Sequence, residues 1–502
     1  MALIDTISAG RGVHVHRPWP RVVVTWEEWS ALTDELVAGR VTLLGLWGEV
    51  DAVHMTVVDE TSGSILVATV ECRDRTYPSV SLKHPPALRL ERTIRSLFGV
   101  EPVGLPDRRP WLDLGFWGMR HPLGSRHDAA LVPEPYAFLP SEGEGLHQIP
   151  VGPVHAGIIE PGHFRFTANG ETIVRLEERL GYVHKGIESL MTGATIEQAA
   201  RLAGRTSGDS TVAYALAFAR AVESALDVDV PPTAVYFRAL MAELERLANH
   251  FGDIGAICND ASFSLMNAHC GILREGVLRT ADACFGHRLM MDRVVPGGIT
   301  EESLHYRASE TRTLVNEIRA NFPRLVELYD NTASLQDRTA DTGIVKPSFA
   351  HQFGAGGHVG RASGRAFDAR KTPGYPPYDR LKFDVPVFHL GDVNARVWVR
   401  IREIEQSVSM IEQISAAMPA GRVRTDLPAS SERREGISLV EAFRGDLLVW
   451  LRLDGSRVTR CHLRDASWFQ WPLLEVAIEG NIVADFPLCN KSFNCSYSGH
   501  DL

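Results

Sequence analysis

The sequence predicts an α+β protein, in which a small N-terminal α+β domain is followed by a large helical-bundle domain with peripheral β-hairpins. The dipeptides Asn169-Gly170 and Asp454-Gly455 predict two of the hairpins, because each lies between strand-like runs and is favoured in two-residue turns. Between these turns the chain carries several long segments with the apolar spacing of helices, which indicates a bundle core. A length of 502 residues leaves room for roughly two to four domains.

The predicted N-terminal domain comprises residues 1–130. Within it, residues 41–47 and 65–70 are apolar runs rich in Val, Leu, Ile and Thr, which predicts two strands. Residues 88–98 carry leucine and isoleucine at helical spacing along one face, which predicts a helix. This mixture indicates a small α+β unit.

The segment that follows is rich in Gly, Pro, His and acidic residues, a composition typical of loops. We therefore predict a linker at residues 131–149 and a second domain at residues 150–502. The first hairpin of that domain is predicted at residues 163–176. The remaining elements are predicted in this order: helices near 184–191, 195–203, 209–225, 232–256, 265–285, 308–329 and 394–417, then strands near 447–453 and 456–463.

Charge, hydropathy and cysteine content narrow the class of protein. The net charge of −10 disfavours general binding of nucleic acids, and no apolar run reaches the length of about 20 residues that spans a bilayer. The start of the chain lacks the basic and apolar regions of a signal peptide, so we expect a cytoplasmic protein. The seven cysteines include no C-x-x-C pair, so the local signature of a zinc or iron–sulfur site is absent.

The glycine-rich stretch at residues 354–360 (GAGGHVG) has two interpretations. A dinucleotide-binding loop needs a strand before it and a helix that opens on its last glycines. Turn-forming residues follow this stretch instead, which favours a glycine turn. The sequence also contains neither G-x-S-x-G nor H-E-x-x-H, the signatures of common hydrolases.

Several segments resemble the large subunit of membrane-bound NiFe hydrogenases and its relative beside the quinone in complex I. They are GPVHAGIIEPGHFRFTANGE at 152–171, GYVHKGIESL at 181–190, ELERLANHFGDIG at 243–255, VVPGGI at 294–299, RASGRAFDARKTPGYPPYD at 361–379 and FDVPVFHLGDVNARVWVRIREIEQSVSMIEQ at 383–413. Residues 91–112 resemble the adjoining subunit of complex I. Formate hydrogenlyase-type large subunits carry both parts in this order. The resemblance implies a NiFe-hydrogenase large-subunit-like fold after a complex I 30-kDa-subunit-like domain.

The positions that hold nickel and iron in this family carry no cysteine in this sequence. The resemblance implies two C-x-x-C pairs, because thiolates are soft anionic donors that can bridge two metals. The first pair falls on Ala203 and Thr206. Alignment of the C-terminal tail on Ser492 places the second pair on Ser496 and Gly499. The resemblance therefore predicts that the chain binds no nickel–iron centre.

Five residues are candidates for function through the same resemblance. Glu188 matches a proton-transfer glutamate of the hydrogenases, and we expect burial beside a partly dry cavity to raise its pKa toward neutrality. Asp260 matches an aspartate near the quinone headgroup in the complex I relative. The alternative for each acid is an ordinary surface or ion-paired carboxylate. His155, Arg361 and Asp368 are predicted to line the cofactor cavity.

Two differences weaken the match with a quinone site of the complex I kind. The resemblance places a quinone-ligating histidine four residues after His155, where Ile159 stands. Lys185 replaces an arginine, and lysine keeps the charge but not the bidentate fork.

The resemblance implies a hydrophilic subunit of a membrane-associated oxidoreductase complex that takes part in electron transfer or proton coupling. Two alternatives stay open, a catalytically inactive structural subunit and a hydrogenase with non-standard ligands. We expect no cofactor bound by this chain itself, except that its cavity could take a quinone. The expected partners are an iron–sulfur small subunit and antiporter-like membrane subunits, with no nucleic acid and no membrane span in this chain. The expected location is the inner face of the cell membrane, on the cytoplasmic side.

Overall fold

The computed structural model describes residues 11–124, 132–156 and 158–502 of the chain. These residues form helices and five sheets of two to five strands, so the prediction of a mixed α/β protein is confirmed. The strands are β1 (Arg11–Gly12), β2 (His16–Arg17), β3 (Arg21–Val24), β4 (Thr42–Gly48), β5 (Ala52–Asp59), β6 (Ser64–Glu71), β7 (Thr76–Pro78), β8 (Glu101–Val103), β9 (Leu146–Val151), β10 (His163–Asn169), β11 (Thr172–Arg179), β12 (Val294–Val295), β13 (Gly298–Ile299), β14 (Arg433–Ala442), β15 (Gly445–Asp454) and β16 (Arg457–Arg464). The α-helices are α1 (Trp26–Val37), α2 (Leu88–Phe98), α3 (Ile187–Met191), α4 (Ile196–Ala203), α5 (Thr211–Leu226), α6 (Pro232–Asp260), α7 (Ser264–Phe285), α8 (Ala308–Asn331), α9 (Ala333–Thr339), α10 (Pro347–Gln352), α11 (Gly357–Ala362), α12 (Val393–Ala417), α13 (Ser467–Ala477), α14 (Phe486–Phe493) and α15 (Tyr497–Asp501).

The first described part of the chain folds around a five-stranded sheet with the order β1-β3-β6-β5-β4. Strand β3 runs parallel to β6, whereas β4, β5 and β6 are antiparallel neighbours. Helix α1 begins with a capping box, in which the side chains of Thr25 and Glu28 accept each other's backbone N–H groups. The strands predicted at 41–47 and 65–70 and the helix predicted at 88–98 are confirmed as β4, β6 and α2.

The second described part is built on long helices. The 29-residue helix α6 packs against α7 and α12, and α5 packs on β14 and β15. The seven helices predicted between residues 184 and 417 are confirmed as α3 to α8 and α12, and the predicted hairpins as β10–β11 and β15–β16. Among the described residues, no helix combines the length and the apolar character that crossing a bilayer requires.

The glycine-rich stretch at 354–360 has no place in a dinucleotide-binding fold. Helix α10 precedes it, and the six-residue helix α11 begins within it. No strand of the described chain leads into this turn. The interpretation as a glycine turn is therefore confirmed.

The two parts are joined by a sheet that both of them build. Its strand order is β16-β15-β14-β2, so an N-terminal strand forms one edge, parallel to β14. Residues 132–145 form no helix or strand, but β9 begins at Leu146, inside the linker predicted at 131–149. The boundaries at 130 and 150 stay a prediction.

A closed ring of polar side chains crosses the contact between the two parts. Arg452 donates through Nε to Glu435 at 2.8 Å and through both terminal nitrogens to Glu49. Glu49 lies 2.9 Å from Nε2 of His54, which is fully buried. Nδ1 of His54 lies 2.9 Å from the hydroxyl of Thr69. Arg21 closes the ring, because it donates to Thr69 and is ion-paired with Glu435. The members of the ring lie on β3, β5 and β6 of the first part and on β14 and β15 of the second. Separating the two parts would therefore leave buried charges without partners.

Candidate functional site

A cavity of about 670 Å³ opens where three segments of the second part meet. One wall is formed by residues within 151–156 and 158–160, the second by residues 207–209 before α5, and the third by residues within 486–498. The C-terminal end of α6, the middle of α7 and the β14–β15 turn contribute Asp260, Arg274 and Arg444. We call this cavity the cleft. Its size is that of a pocket for a small organic molecule.

Asp260 is the last residue of α6 and faces the cleft half-buried. Burial raises the pKa of this carboxyl above its ordinary value, although the nearby Lys491 ammonium acts in the opposite direction. Lys491 reaches the cleft from α14, which packs on α6. The pair therefore offers one acid and one cation to a molecule bound in the cleft.

His155 lies in the wall of the cleft. Its Nε2 is 3.2 Å from the hydroxyl of Tyr497, and its Nδ1 is 3.1 Å from the carbonyl oxygen of Pro153. Ile159, at the position where the resemblance places a histidine, lines the same wall with an apolar side chain. This wall of the cleft thus carries an apolar side chain next to an imidazole that can take part in hydrogen bonds.

A bidentate ion pair lies in the wall of the cleft. Arg444 donates to both carboxylate oxygens of Asp209, at 2.8 and 2.6 Å. Burial alone would raise the pKa of Asp209, but the Arg444 guanidinium and the Ser207 and Ser210 hydroxyls lower it to about 2. Asp209 is therefore a fixed negative charge near neutral pH, and its role here is to hold Arg444 in place.

The two segments in which the resemblance places metal ligands do meet in space. The hydroxyls of Ser207 and Ser496 are 3.0 Å apart, which joins the residues after α4 to the C-terminal tail. Lys185 donates to the carbonyl oxygen of Thr206 at 2.6 Å and to that of Arg205 at 3.2 Å. Ser207 and Ser496 also line the cleft, so this junction borders it directly.

Glu188 lies outside the wall of the cleft and is 5% exposed. It accepts a hydrogen bond of 2.7 Å from Arg460, and its other oxygen is 2.8 Å from Nδ1 of His462. Burial alone would raise the pKa of Glu188, but the charges of these two partners lower it to about 2. The expected rise toward neutrality is wrong, because strand β16 supplies partners that the sequence around Glu188 does not reveal.

Arg361 and Asp368 belong to a buried network of ion pairs rather than to the walls of the cleft. Arg361 is 0% exposed and donates to Glu403 and Glu441, each at 2.8 Å. Asp368 pairs with Arg370 at 2.7 Å. Burial and the neighbouring Asp368 raise the pKa of Glu441 to about 7, against the opposing charge of Arg361. A role for Arg361 and Asp368 in cofactor binding stays a prediction.

Comparison with known proteins identifies the group to which this geometry belongs. The family "Nickel-dependent hydrogenase" matches residues 185–252, and "Respiratory-chain NADH dehydrogenase, 49 Kd subunit" matches residues 262–435. Hydrogenase-4 component G of Escherichia coli is 32% identical over 449 residues, which is 87% of this chain and 78% of that protein. The chain belongs to the family of hydrogenase large subunits and complex I 49-kDa subunits. The resemblance predicted from the sequence is confirmed.

Two further relatives represent both branches of the family. Formate hydrogenlyase subunit 5 of Escherichia coli is 31% identical over 443 residues, which is 86% of this chain and 78% of that protein. An NADH-quinone oxidoreductase subunit of Desulfotalea psychrophila is 33% identical over 341 residues, which is 67% of this chain and 91% of that protein. The matches to the two Escherichia coli proteins are longer than the match to this subunit.

The family's nickel–iron centre does not fit the donors at the four corresponding positions. Ala203 and Gly499 offer no donor atom, and the hydroxyl of Ser496 accepts the N–H of Gly499 at 2.8 Å. Thr206 alone has a buried oxygen without a hydrogen-bond partner, and a neutral hydroxyl is a hard, weak donor. Among the described residues, no three His, Cys, Asp or Glu side chains are grouped to hold a metal ion.

The space at residue 499 is also closed. A Cβ atom added to Gly499 would lie 2.9 Å from an oxygen of each of Asp465, Ser496 and Tyr214. A cysteine side chain could enter only if these groups moved apart. The nearby Cys495 thiol is buried, and burial raises its pKa well above the ordinary value, so it is neutral near pH 7.

Sequence reasoning missed most of the charged groups of the cleft. The missed residues are Glu160, Asp209, Arg274, Arg444 and Lys491. Asp209 and Lys491 had a usable signal, since each lies within a few residues of a predicted ligand position. Arg444 is a single arginine in a hairpin turn, and only the fold brings it to the cleft.

Proposed function

We propose that this chain is a hydrophilic subunit of a membrane-associated oxidoreductase complex of the hydrogenase or complex I kind, and that it works there without nickel and iron. The names of the relatives, a formate hydrogenlyase subunit and an NADH-quinone oxidoreductase subunit, support the type of complex. The donor set around Ser496 supports the absence of the metal centre.

The cleft of about 670 Å³ is the observation that supports a function beyond assembly of the complex. We propose that it binds a quinone-like electron acceptor. Ile158, Ile159 and Phe486 would contact the apolar part of the acceptor, and Lys491 would bind a carbonyl oxygen. Reduction of a quinone to a quinol consumes two electrons and two protons. An iron–sulfur cluster of a partner subunit would supply the electrons.

Asp260 is the better candidate for proton transfer. Its pKa is raised by burial and its side chain lies at the cleft, which favours proton exchange with a bound acceptor. Glu188 is held as an anion by Arg460 and His462, so its surroundings support a structural role.

The proposed partners are an iron–sulfur small subunit and antiporter-like membrane subunits. The small subunit would cover the faces around residues 201–206 and 484–502, because the electron path of the family enters there. The proposal includes a location on the cytoplasmic side of the membrane. The proposal includes the division into a domain of residues 1–130 and a hydrogenase large-subunit-like domain of residues 150–502.

The proposal is tested by purifying the complex from native membranes through a tag on this chain. A short-chain quinone should bind with one site per chain, and Asp260→Asn should weaken this binding. Asp330→Asn, at an exposed position in α8, is the matched control. A chain that purifies alone, or quinone binding that neither variant affects, would contradict the proposal.

A structural subunit without its own active site is the second candidate. The packing around Gly499 favours it, because that region is filled by hydrogen-bonded side chains. In that case the Asp260→Asn complex should assemble and oxidise its donor at the parental rate.

A further inference from the structure

A second cavity, of about 450 Å³, lies at the C-terminal end of α5 and shares no lining residue with the cleft. Its walls come from the end of α5, the start of α6, the segment at 376–380 and the residues next to β2. Four guanidinium groups and three carboxylates line it. We call it the Arg220 cavity.

Two arginines of this cavity differ sharply in their partners. Arg238 donates two hydrogen bonds to Glu223, and it also donates to the carbonyl oxygens of Gly298 and Val295. Glu223 is further occupied by the backbone N–H of Gly297 at 2.8 Å. The carboxylate nearest to Arg220 is therefore already neutralised by another cation.

Arg220 has no hydrogen bond or ion pair within the described residues. Its Nε is buried without a partner, and its guanidinium carbon lies 4.6 Å from the ring centre of Tyr375. Burial lowers the pKa of this guanidinium, whereas the nearby Tyr375 and Glu223 act in the opposite direction. Arg220 is only partly buried and lines an open cavity, so a guanidinium without an acidic partner is available there to pair with an anion.

The rest of the wall indicates what carries that anion. Apolar side chains surround the cavity next to the arginines: Pro18, Val228, Val230, Pro232, Val235, Pro376 and Pro377. The carboxylates of Asp227 and Asp229 lie on exposed residues at the rim, together with Arg380, whose side chain is 72% exposed. A ligand should thus present its charge to the interior and its hydrocarbon part to the proline and valine wall.

We propose that the Arg220 cavity binds a small organic anion, whose carboxylate or phosphate group pairs with Arg220 and whose apolar part lies on the proline and valine wall. The site is separate from the proposed acceptor cleft, and its existence does not depend on electron transfer. A bidentate pair with Arg220 would satisfy the donors that the protein itself leaves free.

Calorimetric titration of the full-length chain tests the site with acetate, hexanoate and inorganic phosphate at constant ionic strength. Hexanoate should bind once per chain and at least about tenfold more tightly than acetate, because the extra methylenes leave water. Arg220→Gln should weaken hexanoate binding at least about tenfold, and Arg220→Lys less. Arg319→Gln, at an exposed arginine paired with Glu412, should leave the affinity unchanged.

A second measurement does not depend on a variant that folds. Crystals of the unaltered chain soaked with 6-bromohexanoate should show the bromine beside Pro376 and Pro377. The proposal is overturned if hexanoate shows no saturable binding, if a folded Arg220→Gln chain binds it with parental affinity, or if the bromine lies elsewhere.

Discussion

Glu188 offers a quantitative test of whether an acidic residue of this family transfers protons or holds the fold. The substitution Glu188→Gln keeps the shape of the side chain but removes its charge. The pKa of Glu188 is lowered from 4.5 to about 2 by Arg460 and His462, despite burial. Because one pKa unit is worth about 1.36 kcal/mol, the charged carboxylate contributes about 3 kcal/mol relative to its neutral form. We expect the substitution to lower the free energy of unfolding by about this amount at pH 7.

The pH dependence of this loss has a definite sign. A carboxylate whose pKa is lowered by folding stabilises the protein above its unfolded pKa of about 4.5, and this contribution disappears as the pH falls toward about 2. The difference in stability between the parent and Glu188→Gln should therefore be full at pH 6 and shrink steadily by pH 3. A carboxylate with a raised pKa would give a difference of the opposite sign.

Urea unfolding followed by tryptophan fluorescence is the assay. Trp47, one of the ten tryptophans, stacks on His462 with ring centres 5.2 Å apart, so part of the signal comes from the surroundings of Glu188. Glu432→Gln is the control, because Glu432 pairs with Arg434 at 2.6 Å but is 70% exposed. An exposed pair of this kind contributes about 0–1 kcal/mol. The reasoning is refuted if Glu188→Gln unfolds at the same urea concentration as Glu432→Gln.

Four other outcomes are expected. Elemental analysis of the purified chain should find far less than one nickel per chain, and stoichiometric nickel with hydrogen uptake would contradict the donor argument. Gly499→Ala should lower the unfolding free energy by about 1–3 kcal/mol, since its Cβ would lie 2.9 Å from three oxygens; an unchanged urea midpoint would show that the region relaxes freely. Asp260→Asn should weaken short-chain quinone binding about tenfold without lowering the melting temperature at pH 7, because burial has already raised the pKa of Asp260. Two chains produced by a cut within residues 125–131 should copurify, because β2 pairs with β14 and the closed ring of polar side chains around Arg452 and Glu435 crosses the contact between the two parts. Their separation at physiological salt would refute this.

The long helices could be predicted because local signals agree along each of them. Pro232 starts α6, where a proline costs no helical hydrogen bond, and apolar spacing continues for 29 residues. Helix α1 was missed although it has a signal, since Thr25 and Glu28 have the spacing of a capping box. Strand β14 had no such signal. Eight of its residues in a row are buried, so it lacks the alternation that marks a strand with one face in water.

The candidate site was predictable only where the resemblance supplied a position. The resemblance singled out His155 and Asp260, and both residues lie in the walls of the cleft. The pKa of Glu188 could not be predicted, because Arg460 and His462 come from a strand far along the chain. The sign of a pKa shift depends on the balance between burial and nearby charge. A sequence alone indicates burial, but it does not reveal which charges the fold brings close.

The position of the cleft relative to the ligand segments explains how a subunit of this family could function without its metal. Ser207 and Ser496 belong both to the junction of those segments and to the wall of the cleft. Electrons that arrive through a partner at this junction would therefore reach a molecule in the cleft without crossing the protein core. A polar hydroxyl pair costs little to bury when its members bind each other at 3.0 Å, so the junction is stable without a metal ion. If electrons do pass here, substitutions at Asp260 should slow donor oxidation, whereas Glu188→Gln should act through stability alone.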